Sequence, residues 1–179
     1  AGCGSDPDEL ADQVPEVNEQ GYISGAGVIT QLPLGERGEP IKLAGEYTDG
    51  TAFDLADWRG APAVLNLWYA ACPPCRKEAP ALQANYERYQ ENGVKFLGIN
   101  VRDEAPAADA FARTFDLTFP SMLDKDGLGV AALGSVLPPQ AVPSTVVLDS
   151  QGRAAARVMG AVDESTLKAL IGDVLEEPA

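Results

Sequence analysis

The run PAVLNLWYA, residues 62–70, is short, apolar apart from Asn66, and leads straight into CPPC. Its length and composition predict a strand buried inside a sheet. Beyond the cysteines, Ala79, Leu82, Tyr86 and Tyr89 recur at spacings of three or four. That period predicts an amphipathic helix over residues 73–92, closed by Asn92-Gly93. A buried strand that feeds a helix at once must stack a helix layer on a sheet layer. The fold class is therefore α/β.

The remaining segments agree. VKFLGINV (94–101) predicts another buried strand, and Ala108, Phe111, Ala112 and Phe115 a second helix, with Asp103 as its cap. FPSML predicts a short strand, and GLGVAALG a turn or two of helix. STVVLDSQGRAAARVMG predicts an antiparallel hairpin about Ser150-Gln151-Gly152, followed by a closing helix from Asp163 to Leu175. Upstream, IKLAGEYTDGTAFDL carries an Asp49-Gly50 hairpin turn. GYISGAGVITQL reads as a glycine-rich, strand-forming extension. The sum is one domain with a mixed central sheet over residues 21–179, preceded by an acidic, proline-containing tether over residues 1–20. Pro80 is expected to kink the first helix.

Cys72 and Cys75 lie where the strand hands over to the helix. Unpaired N–H groups and the helix dipole favour negative charge there. A thiolate at that position is stabilised, with its pKa drawn below about 8.5. Cys75 lies one turn further in, is expected to be less exposed, and is close enough to close a disulfide. Pro73 and Pro74 suit the first helical turn, where their missing N–H groups have no partner to lose. Three readings of the pair compete: a redox dithiol, a structural staple and a metal site. Closing a four-residue loop removes little unfolded-state entropy, which argues against a staple. A zinc site needs about four ligands, and the chain has no histidine and only one further cysteine, Cys3.

The lack of histidine also removes Ser-His-Asp and Cys-His catalysis, leaving a carboxylate, thiol, Lys, Tyr or water to move protons. A formal net charge of −14 repels phosphate backbones, so no nucleic-acid partner is expected. No metal and no cofactor are expected beyond a redox-active Cys72–Cys75 disulfide. Ala1-Gly2-Cys3 resembles the end of a bacterial lipoprotein signal, in which the cysteine becomes the lipidated first residue. Cys3 is therefore a candidate lipid anchor.

VLNLWYAACPPCRKEAPAL, with its Trp-x-x-x-Cys-x-x-Cys-Arg-x-Glu-x-Pro pattern after a buried strand, resembles the active-site stretch of the thioredoxin-like TlpA/ResA/CcmG group. GINVRDE, FPSMLDKDG and AVPSTVVLDSQGR fall where that group has its next strand, a central αβ insert and its cis-proline strand. The segment before residue 40 looks like an N-terminal β-hairpin extension of actinobacterial members. The resemblance implies a thioredoxin-like fold and an extracytoplasmic thiol-disulfide oxidoreductase, anchored to the outer face of the cytoplasmic membrane.

It also implies roles for individual residues. Cys72 would be the nucleophile and Cys75 the resolving thiol. Glu78 would handle the proton of Cys75, the more so because Asn66 stands where thioredoxin has a titratable Asp. Val142-Pro143 would be the cis-proline turn, its Val142 backbone pairing with an extended substrate, and Trp68 would exclude water. Partners implied are a protein disulfide, apocytochrome c among them, and a membrane reductant of the CcdA/DsbD type.

The Pro-Pro pair departs from the Glu-Pro and Gly-Pro common in these relatives, which leaves an oxidant of secreted proteins as the alternative direction. A peroxiredoxin shares the fold but wants Thr or Ser where this chain has Tyr69. A non-catalytic binding module would not need Cys72 at all.

Overall fold

The computed structural model describes residues 16–17, 23–24 and 27–178. Strand β6 (Ala63–Trp68) is buried along its whole length and lies in the middle of a six-stranded sheet of order β3-β10-β9-β6-β7-β8. Its neighbours are β7 (Lys95–Asn100), parallel, and β9 (Ser144–Leu148), antiparallel. Beyond β7 lies β8 (Ser121–Leu123), parallel. Beyond β9 come β10 (Ala154–Met159) and the edge strand β3 (Val28–Gln31), each antiparallel to its neighbour. The mixed sheet is the expected one.

Side chains of β6 alternate between two cores, as the pleat requires. Ala63, Leu65 and Leu67 join Phe111, Leu133, Ile41 and Phe53 on one face. Val64 joins Leu82, Phe96, Leu167, Leu170 and Ile171 on the other. Helices α1 (Pro73–Tyr89) and α4 (Glu164–Leu175) supply the second face. Helix α2 (Ala105–Thr114) supplies Ala108 and Phe111 to the first, below the short α3 (Leu128–Ala132). Tolerance for such close stacking is narrow at Gly98, where a Cβ would stand 2.2 Å from Ser121 Oγ and 2.8 Å from Trp68 Nε1. The α2–β8 segment is the central insert, and β4 (Ala44–Glu46) pairs with β5 (Ala52–Asp54) about the predicted Asp49-Gly50 turn.

Two expectations change in detail. Helix α1 ends at Tyr89, and a 3-10 turn carries the chain to Gly93, whose φ of 79° the missing side chain permits. Helix α1 runs through Pro80 without a break. Asp103 is not the cap of α2: that position belongs to Glu104, which makes no side-chain cap bond, and Asp103 turns back to the β6–α1 loop instead. The expected N-terminal hairpin pairing joins the glycine-rich segment to the end of the expected tether. That segment supplies β2 (Ile23–Ser24), which pairs with β1 (Glu16–Val17) inside the expected tether, and β3, which adds to the main sheet. The reason for the second pairing is an open backbone edge on β10, which β3 satisfies over four paired positions. Cys3 lies outside the described residues.

Candidate active site

The strand-to-helix junction places the two cysteines as the spacing demands. Cys72 is the N-cap of α1, Pro73 and Pro74 occupy its first turn, and Cys75 follows on the helix. A disulfide joins them, with Cα atoms 5.2 Å apart. The backbone N–H of Cys75 points at Cys72 Sγ at 3.2 Å. A sulfur so placed receives an otherwise orphaned helix donor, which is the physical basis for holding charge on Cys72 when the bond is open.

Both sulfur-bearing residues are buried, Cys72 at 0% exposure and Cys75 at 1%, so Cys72 is not the more exposed of the two. The reason is packing from outside the helix: Cys72 shares its cluster with Tyr69, Leu137 and Val142. Val142 precedes Pro143 through a cis peptide bond. It is buried, and its N–H already donates to the Gln140 carbonyl at 2.9 Å. Trp68, at the end of β6, is buried against Phe111 with ring centroids 4.4 Å apart. It also lines a small void with Cys75, Asn66 and Ala79.

Glu78 is the least ordinary residue here. It lies one helical turn after Cys75 and is 1% exposed, with no cation paired to it among the described residues. Asn66 Nδ2 donates to its Oε1 at 2.7 Å, and the Val162 N–H donates to its Oε2 at 3.0 Å. Asn66 is steadied by Thr145 Oγ1 at 3.2 Å, on the adjacent strand β9. Burial pushes the Glu78 carboxyl up to about 8, against the opposing pull of its bonds from Val162 and Asn66. A buried carboxyl that titrates near neutrality, next to a thiol that must lose a proton, can serve as a general base.

The family resemblance puts Asn66 where thioredoxin has a titratable Asp, and an amide does not titrate. The resemblance does not reveal the contact, which joins residues 12 apart on two elements. Also unforeseen is Asp103 as a brace. Its Oδ2 accepts from the Ala70 N–H at 2.6 Å and from Asn100 Nδ2 at 2.8 Å, fixing the loop between β6 and Cys72.

Comparison with known proteins bears on the chain as a whole. The chain matches the model of the AhpC/TSA family over residues 35–157. It belongs to that thioredoxin-like family. Thiol-disulfide oxidoreductase ResA of Geobacillus thermodenitrificans is 32% identical over 120 residues, covering 67% of each chain. A secreted thiol-disulfide isomerase of Corynebacterium glutamicum superposes with a TM-score of 0.77 at 31% identity, over 83% of this chain and 92% of that one. A DsbF homologue of Corynebacterium diphtheriae gives 0.73 at 33%, over 81% and 92%. The protein is a thiol-disulfide oxidoreductase, and the Cys72–Cys75 pair fits its dithiol.

Proposed function

We propose that this oxidoreductase works as a reductant of protein disulfides outside the cytoplasm. Cys72 thiolate attacks a substrate sulfur, and the substrate's other sulfur leaves as a thiolate. Cys75 then passes its proton to Glu78 and attacks Cys72 Sγ. The products are a reduced substrate and the Cys72–Cys75 disulfide; two electrons have passed from enzyme to substrate. Pro143 and the carbonyl side of Val142 present an extended substrate to the sulfurs, since the Val142 N–H is engaged internally. Trp68 keeps water from the inner side of Cys75.

The observation that carries the direction is the burial of the closed disulfide beside a cation-free carboxyl. An apolar disulfide loses little by burial, whereas a thiolate loses solvation. Stabilising the oxidised form makes the reduced form the better donor. Apocytochrome c is the substrate we favour, with electrons resupplied by a membrane reductant of the CcdA/DsbD type and the protein held at the membrane by lipid on Cys3. Measuring the Cys72/Cys75 potential tests the direction: a value towards roughly −270 mV is expected, and one near −120 mV overturns the reading. Trapping with Cys75→Ser and identifying the protein joined to Cys72 tests the substrate. Mass spectrometry of the native N-terminus, showing a lipidated or unmodified Cys3, tests the anchor.

A further inference from the structure

Thirteen cationic side chains serve a chain of 179 residues whose net charge is −14, and two of them stand at the dithiol loop. Arg102 lies with its guanidinium 4.2 Å from the centroid of the Tyr69 ring. Arg76 lies 5.1 Å from that of Phe115, and its Nη1 reaches back to the Ala70 carbonyl at 3.5 Å. Tyr69 and Ala70 are the residues that lead into Cys72, whose own N–H donates to the Tyr69 carbonyl at 3.3 Å. Both arginines therefore touch the segment that leads into Cys72, and both are exposed.

What holds them is aromatic, not ionic. Among the described residues the ion pairs engage Arg37, Arg88, Lys125 and Arg153, and include neither Arg76 nor Arg102. Of the nearby carboxylates, Asp103 is bound to the Ala70 and Asn100 N–H groups, and Glu104 is paired with Lys125. A guanidinium laid on a ring keeps most of its planar fork of donors available and loses little entropy on engaging a carboxylate. Two such forks at the loop place cationic charge beside the dithiol in a molecule of net negative charge.

We propose that Arg76 and Arg102 are a paired docking site for acidic side chains flanking the cysteines of the protein substrate. The pair selects among disulfides by charge, while the exchange itself follows the reductase reading above, on which this proposal rests. Repulsion from the rest of the acidic surface is screened over about 10 Å at ordinary salt, so the local pair decides the contact.

The test uses three peptide disulfides of one length, with the cysteines flanked by acidic, uncharged polar or lysine residues. Their reduction rates by the wild-type protein are compared with those of Arg76→Glu/Arg102→Glu, at about 0.15 M salt. The acidic peptide is expected to react about fivefold faster than the uncharged one, and the lysine peptide slower. The double variant is expected to reverse that order. Dividing each rate by that of the uncharged peptide cancels any effect of the arginines on the dithiol itself. A ratio of acidic to uncharged peptide that is the same in both proteins overturns the proposal. Should the uncharged peptide resist reduction by the wild type, the reductase reading fails. The charge ratio is then read in the oxidising direction, with the dithiol forms of the same peptides.

Discussion

At the scale of single residues, the proposed proton transfer turns on Glu78. Its carboxyl is buried without a cation and titrates near 8, far above an unfolded glutamic acid. The folded protein therefore binds that proton more tightly than the unfolded chain does. The stability this confers is complete below the unfolded value, about 4.5, and is lost as pH rises through about 8. Denaturant unfolding of the oxidised protein at pH 5 and pH 8 should show wild type losing stability across that interval, and Glu78→Gln showing a flatter profile. In the proposed mechanism the same group must be a carboxylate to receive the Cys75 proton. Glu78→Gln should slow resolution of the mixed disulfide at least about tenfold and remove the rise in its rate towards pH 8, as read by stopped-flow. Attack by Cys72 should change little.

Among the elements, the caps and braces decide how rigid the site is. Asp163 caps α4 by accepting from the Thr166 N–H at 2.8 Å, and its carboxyl is drawn down to about 2, first by the Ser165 hydroxyl and then by Thr166. Asp163→Ala should cost about 1 kcal/mol in chemical denaturation, the usual worth of such a cap. Asp103 acts across elements. With Asp103→Ala the Ala70 N–H loses its acceptor, and hydrogen exchange of residues 69–72 should quicken while that of β6 stays slow. The hydrophobic spacing announces α1, β6, β7 and α4, because a buried face imposes its period on the sequence. It misplaces the cap of α2, because one acidic residue before a helix looks the same whether it binds that helix or a neighbouring loop.

For the whole molecule, Arg37 ties the N-terminal extension to the rest. It bonds Asp149 at 2.9 Å, Glu177 at 2.7 Å and the Leu32 carbonyl at 2.9 Å, with its side chain 4% exposed. Asp149 keeps Arg153 as a second partner, so the loss is only partly compensated when Arg37 goes. Arg37→Ala should destabilise by about 3 kcal/mol in equilibrium unfolding, the scale for breaking a buried pair. No spacing in the sequence marks this link, which joins residues 112 and 140 positions apart.

By itself the sequence determined the α/β class, the buried strand, the helix that follows it and the position of the two cysteines between them. Each of these is a local pattern, enforced by burial of one face or by the geometry of a helix start. Only the tertiary structure decided that Asn66 and the Val162 N–H hold Glu78, that Cys72 is covered, that Asp103 braces the loop and that two arginines touch it. Those contacts cross between elements, where distance in the chain says nothing about distance in space. Titration of a buried carboxyl depends on everything that surrounds it, and the chain reveals that only once it is folded.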